Sequence, residues 1–273
     1  MPKADATLSS AFRALHAPGR LLILPNAWDA GSARVIEELG SPAIATTSAG
    51  LAWSRGYPDG GGLPPRALAA ALGEIARAIR VPLTVDIEGG YADSAAGAAE
   101  TVAAVLDAGA VGINIEDGAA PADLLCAKIE AARRVAARLG IDLFINARTD
   151  VYLRGLATGE RAAAEIAVRA ARYRAAGADG LFVPRLPDEA AIRAAAAAAA
   201  PLPLNLMAAP DLPPGAVLRA LGVRRLSAGA ALAEAALGLL RHRATDFLAS
   251  GDAAPLFAGA TPYPALNALF KRG

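Results

Sequence analysis

The chain has 273 residues, a formal net charge of +1, 55% hydrophobic residues and 19% charged ones. That composition supports a large buried core, excludes a disordered chain, and offers no field or basic block to attract nucleic acid or an anionic membrane. Apolar runs are broken before membrane-span length, no export-signal pattern opens the chain, and the single cysteine, Cys126, excludes an internal disulfide, so a cytoplasmic protein without membrane or nucleic-acid partners is expected.

Short apolar runs alternate with longer alanine-rich amphipathic stretches. A helix over about 6–17 is expected first. Eight runs read as strands: Leu21–Pro25, Ala43–Thr47, Leu83–Ile87, Val111–Ile115, Leu143–Ala147, Gly180–Val183, Leu202–Leu206 and Arg225–Ala228. Gly109 and Gly177 mark helix ends that need a left-handed residue, and Val81-Pro82 and Ala200-Pro201 stop helices. Asp29 and Asp93 read as helix caps. Asp123–Leu139 and Leu232–Ala249 read as helices, and a Pro-rich extension covers about 250–273. Eight strands alternating with helices fit a (β/α)₈ barrel or a doubly wound open sheet. The triplet Gly60-Gly61-Gly62 lies far from its strand and precedes Pro64-Pro65, so it is no dinucleotide loop, and the barrel is preferred. No composition break divides the chain, and one domain over 1–273 is expected.

The chemistry available is restricted. The lysines are Lys3, Lys128 and Lys271 and the histidines His16 and His242, none at the end of a predicted strand. Schiff-base, His-zinc and Ser-His-Asp chemistries are therefore not expected. In a barrel the C-terminal strand ends surround the site. Those ends carry Asn26, Thr46-Thr47-Ser48, Asp86 and Glu88, Asn114 and Glu116, Asn146 and Arg148, Arg185, Asn205 and Ser227. The strand period of two puts Asp86 with Glu88, Asn114 with Glu116, and Asn146 with Arg148 on common faces. Such residues also serve as polar turns and caps. Converging carboxylates, however, repel and lose hydration, so Asp86, Glu88 and Glu116 together point to a cation. The all-oxygen set selects Mg²⁺ or Mn²⁺. Arg148 is either an anion clamp or the partner of Asp150 or Glu116 in an ion pair. Backbone N–H groups around Thr47, Ser48 and Ala49 offer further anion contacts.

Five stretches taken together resemble the isocitrate lyase/phosphoenolpyruvate mutase superfamily: Pro25-Asn-Ala-Trp-Asp-Ala30, Thr46-Thr-Ser-Ala-Gly50 leading to Gly56-Tyr-Pro-Asp59, Asp86-Ile-Glu-Gly-Gly-Tyr91, Ile113-Asn-Ile-Glu-Asp117 and Asn146-Ala-Arg-Thr-Asp150. The similarity runs along nearly the whole chain. It implies a barrel whose eighth helix is swapped between subunits of a homodimer or homotetramer, Mg²⁺, and a small 2-oxo acid or phosphonate substrate. It also implies that Asp86 is the aspartate nearest the metal, with Glu88 in place of a second acidic ligand and Glu116 in the metal's water shell. Arg148 would bind substrate and act in catalysis beside Glu116 and Asp59, a loop aspartate near the site. Thr47, Ser48 and Ala49 would hold substrate through backbone amides, and Asn205 is a further candidate contact.

Two departures stand out. The Lys-Lys-Cys-Gly-His loop of the lyase branches is replaced by Gly118-Ala-Ala-Pro-Ala-Asp123, with Cys126 inside the following helix. The sixth strand ends Phe182-Val-Pro184-Arg185, where relatives place an acid or histidine. These argue against isocitrate and methylisocitrate lyase activity. The leading expectation is a lyase or decarboxylase breaking a C–C bond beside a 2-oxo acid through a metal-stabilised enolate. A phosphonomutase, with Arg185 and Arg55 as added cations, is the second. A catalytically idle metabolite-binding barrel is the third.

Overall fold

The computed structural model describes residues 5–271. The chain opens with helix α1 (Ala6–Ala14), strands β1 (Leu22–Leu24) and β2 (Asn26–Ala27), helix α2 (Ala30–Glu38), strand β3 (Ile44–Thr46) and helices α3 (Ser48–Trp53) and α4 (Pro65–Ala78). It continues through β4 (Leu83–Asp86), α5 (Ala95–Asp107), β5 (Gly112–Glu116), α6 (Ala122–Leu139), β6 (Phe144–Arg148), α7 (Gly159–Ala176), β7 (Gly180–Phe182) and α8 (Glu189–Ala199). Strand β8 (Leu204–Met207), α9 (Gly215–Ala220), β9 (Val223–Ser227), α10 (Ala231–Ser250), a 3₁₀ turn (Ala254–Phe257) and α11 (Tyr263–Phe270) complete it.

All strand pairs are parallel, in the order β1-β9-β8-β7-β6-β5-β4-β3-β2. The two ends of that order are one strand interrupted. Pro25 has no N–H to give to a ladder, so the first predicted strand splits around it: β1 pairs with β9 and β2 with β3. The sheet is thereby an eight-position barrel, as expected. The predicted left-handed glycines hold, with Gly109 at φ 106° and Gly177 at φ 108°. Asp29 caps α2 through a capping box with Ser32. Asp93 does not cap α5: Ser94 takes that place, accepting from Gly97 N.

Alternation along the strands builds two cores. Outward residues such as Val85, Ile113, Ile145 and Leu206 pack beneath the helices. The barrel's interior is stacked in layers. At its N-terminal end Phe12 of α1 is fully buried among Leu22, Leu24, Ala45, Val111 and Phe144, with its ring edge-on to Phe144. Gly112 makes room for this plug, because a Cβ there would lie 2.6 Å from Phe12. Arg13 ties α1 to the barrel by ion pairs with Asp142 and Asp179. Above lies a polar layer of Thr84, Asn114, Asn146, Asn205 and Arg225, all buried. The C-terminal strand ends lie above that layer.

Helix α10 stands apart from the pattern. It touches β2 and the 3₁₀ turn but leaves most of its length exposed, including Leu237, Leu240 and Leu248. Ile23, on the outer face of β1, is 56% exposed although its strand neighbours are buried.

Candidate active site

A cavity of about 620 Å³ opens at the C-terminal strand ends, where a barrel of this kind holds its chemistry. It is lined by Asp86 at the end of β4, Arg148 at the end of β6, Thr47, Ser48 and Ala49 at the start of α3, and Asp59 on the following loop. Asn114 forms part of its floor, and Leu153, Phe182, Met207 and Pro210 give it an apolar wall.

Asp86 is buried, and each of its oxygens accepts one hydrogen bond. Oδ1 accepts from Glu88 N at 3.0 Å and Oδ2 from Asn114 Nδ2 at 3.2 Å. Burial raises its pKa, opposed chiefly by the positive charge of Arg148 and reinforced by Asp59. Glu88 lies past the strand end rather than on it, in a left-handed conformation at φ 48°. The shared strand face expected for Asp86 and Glu88 is therefore not formed. The loop that carries Glu88 is instead pinned by Lys128 of α6, whose ammonium donates to Gly89 O at 2.6 Å and Ala92 O at 2.7 Å. Lys128 is a structural residue of the site that sequence reading passed over. Burial also raises the pKa of Glu88, with Asp59 and Asp86 adding to it.

Arg148 is held by carboxylates. Its Nε and Nη2 donate to the two oxygens of Asp150 at 2.7 and 3.1 Å, and its Nη1 lies 2.7 Å from Glu116. The ion-pair alternative is thus present in full. Three of the five guanidinium N–H groups are spent on it, and one on each terminal nitrogen remains. Burial acts to lower the Arg148 pKa, but Glu116, Asp86 and Asp150 outweigh it and the net shift is upward. Asp150 is itself fixed: its backbone N–H donates to Asp117 at 2.9 Å, and Asp117 accepts from Arg169 and Tyr173, each at 2.6 Å. Glu116 does not line the main cavity. It faces a small adjoining pocket with Gly89, Asp117 and Lys128.

Two expected contacts are corrected. Asn205 lies fully buried beneath the cavity, its Oδ1 accepting from Asn146 and its Nδ2 donating to Leu206 O and Ser227 Oγ. Its amide is spent inside the barrel and does not reach the cavity. The Thr47 N–H is likewise committed, to Ala27 O at 3.1 Å, leaving Ser48 and Ala49 in the open first turn of α3. Arg185 lines the cavity, at φ 66°, whereas Arg55 turns away to pair with Glu74. Cys126 sits within α6, where burial and then Glu130 push its thiol pKa up.

The residues suit a hard divalent cation. Asp86 adds to the raised pKa of Glu88, Asp86 and Glu88 both add to that of Glu116, and Glu88 Oε1 is buried without a hydrogen-bond partner among the described residues. Among the described residues, no three His, Cys, Asp or Glu side chains stand close enough to ligate one ion together. All the donors are oxygens, the type that Mg²⁺ takes while it keeps several of its waters.

Residues 12–248 match the phosphoenolpyruvate phosphomutase family. The chain belongs to that family. It therefore lies in the isocitrate lyase/phosphoenolpyruvate mutase superfamily, as its motifs implied. An uncharacterised Mycobacterium tuberculosis protein is 38% identical over 261 residues, covering 94% of this chain and 95% of its own length. A crystal structure of a candidate phosphonomutase from Burkholderia cenocepacia J2315 superposes with a TM-score of 0.83 at 42% identity, covering 87% of this chain and 98% of that one. The 2-methylisocitrate lyase of Halalkalibacterium halodurans is 30% identical over 190 residues, covering 66% of this chain and 61% of the lyase. Among the described residues no helix is long and apolar enough to cross a membrane.

Proposed function

We propose that this protein is a divalent-metal-dependent lyase that breaks a carbon–carbon bond beside a 2-oxo acid. The observation that carries the reading is the convergence of Asp86, Arg148 and the open first turn of α3 on one cavity. Asp86 would hold Mg²⁺ or Mn²⁺ directly, with Glu88 and Glu116 reaching it through water. When bound, the cation supplies Lewis acidity to the oxygens of the 2-oxo acid head. The two remaining N–H groups of Arg148 bind the substrate carboxylate, and the rigid brace of Asp150 holds the fork at a fixed angle. The Ser48 and Ala49 amides add donors for developing negative charge. Leu153, Phe182 and Met207 give the cavity an apolar wall, and the loop after α3 brings the Asp59 carboxylate to its lining to receive a proton.

Arg185 favours a second reading, a phosphonomutase, because phosphoryl-type transfer needs additional cations around the site. A panel of 2-oxo acids and phosphonopyruvate, assayed with and without Mg²⁺, separates the two. Metal-dependent cleavage of a 2-oxo acid, abolished in Asp86→Ala, supports the lyase. Conversion of phosphonopyruvate alone supports the mutase. Binding without turnover of any of them leaves the idle barrel.

The same reading extends to assembly as a homodimer or homotetramer in which α10 crosses to a second copy. The support is paired: α10 carries exposed leucines, and Ile23 on the barrel wall is exposed, with no helix over it among the described residues.

A further inference from the structure

Arg225 is the largest fully buried polar side chain in the barrel. It is 1% exposed, on β9, inside the polar layer under the cavity. Its Nη2 donates to Asn114 Oδ1 at 3.2 Å, while Nε and Nη1 have no hydrogen-bond partner among the described residues. The ring of Phe12 lies 5.9 Å below the guanidinium carbon. Burial lowers its pKa to about 10, with Asp86 opposing the shift, so it is a cation at neutral pH. Burial of a charge with so few partners is costly, so stability alone does not account for it.

Its position in the hydrogen-bond network gives it a use. Asn205 Nδ2 donates to the Leu206 carbonyl, which can only accept, so Asn205 turns its Oδ1 to Asn146. Asn146 Nδ2 donates to that oxygen and to Asn114 Oδ1, at 2.9 Å in the latter case. Arg225, which can only donate, meets the same Asn114 oxygen. Asn114 is thereby left with its Nδ2 facing Asp86 Oδ2 at 3.2 Å. We propose that Arg225 is a positioning residue: with the Leu206 carbonyl anchoring the far end, its donor-only charge locks the polarity of the amide ladder so that Asn114 always presents a donor to Asp86, holding that carboxylate in place for a cation. The inference rests on the metal reading above, and it adds a residue to that site which makes no contact with metal or substrate.

Calorimetric titration of Mg²⁺, or of Mn²⁺, into the purified protein tests it, with thermal melting as a control for folding. Arg225→Lys keeps a donor-only cation and should bind within about threefold of the parent. Arg225→Gln, whose amide can present either end, and Arg225→Met should each weaken binding about tenfold. The double variant Asn114→Ala with Arg225→Met should bind no more weakly than Asn114→Ala alone, since one acts through the other. Equal affinity in the parent, Lys and Gln proteins overturns the proposal, as do multiplying effects in the double variant. A parent that binds neither ion removes the metal reading itself and this proposal with it. A parent that binds while Arg225 variants match it removes only the role of Arg225. If Arg225→Met does not fold, the contrast between Lys and Gln decides.

Discussion

Glu116 Oε2 lies 2.7 Å from Arg148 Nη1, at paired positions of β5 and β6. Despite that partner, burial lifts the Glu116 pKa to about 8, because Asp86, Asp150 and Glu88 add their repulsion. The raised pKa favours a proton on Glu116 in the metal-free site as pH falls, at the expense of its ion pair with Arg148, and a cation favours the carboxylate, so binding expels that proton. Mg²⁺ affinity is expected to rise up to about tenfold per pH unit from 6 to 8 and to level off above it. Calorimetry at pH 7 in buffers of different ionisation heat should count about one released proton, and Glu116→Gln should remove it. Release that persists in Glu116→Gln would assign the proton to another carboxylate.

Arg148→Lys is expected to fold and to lose on the order of 100-fold in kcat/KM. A lysine ammonium can meet one of Asp150, Glu116 and substrate well, but it cannot reproduce a planar fork braced on two sides. Steady-state kinetics with the substrate found in the panel measure this. Parent-like kcat/KM in Arg148→Lys would mean that Arg148 is only the counter-ion of the two carboxylates.

The barrel was legible in the alternation of apolar runs with amphipathic stretches, because inward and outward faces impose a period of two on every strand. Asp86, Glu116 and Arg148 were legible for the same reason, each closing a strand at its C-terminal end. What sequence could not convey was depth along the barrel axis. Asn205 shares the interior face with the site residues but sits in the layer beneath them. Arg225 opened a predicted strand and is in fact near the middle of β9, inside the barrel. Lys128 lies on a helix and not at a strand end, yet its side chain reaches across to hold the Glu88 loop. Glu88 left its expected face because the strand stops at Asp86 and the chain turns left-handed.

Cys126→Ser is expected to retain most activity, and iodoacetamide to inactivate the enzyme slowly. The thiol sits inside α6 and away from the main cavity, and its pKa is raised, so little thiolate is present at neutral pH. Activity followed against alkylation measures this. Rapid alkylation blocked by substrate, with an inactive Cys126→Ser, would return the chain to the cysteine-dependent lyases.

The 20-residue helix α10, which touches its own barrel mainly through β2, leaves its leucines in water, and Leu240 is 61% exposed. Covering one such side chain contributes roughly 2 kcal/mol, so a few of them supply much of the stability of a subunit interface. The bare Ile23 lies on the stretch of barrel wall that an eighth helix would cover, and α11 turns back onto α2, where Arg34 Nε donates to Leu269 O at 3.0 Å. A second copy's α10 seated on that wall would bury both surfaces at once. Sedimentation at micromolar concentration should therefore give a dimer or tetramer. Leu237→Asp together with Leu240→Asp should shift it toward monomer, because each places a charge in an apolar contact. Ile23→Asp, on the opposite side of the same contact, should do likewise while leaving α10 helical. A monomeric parent, or a parent-like oligomer in both variants, would remove α10 from the interface.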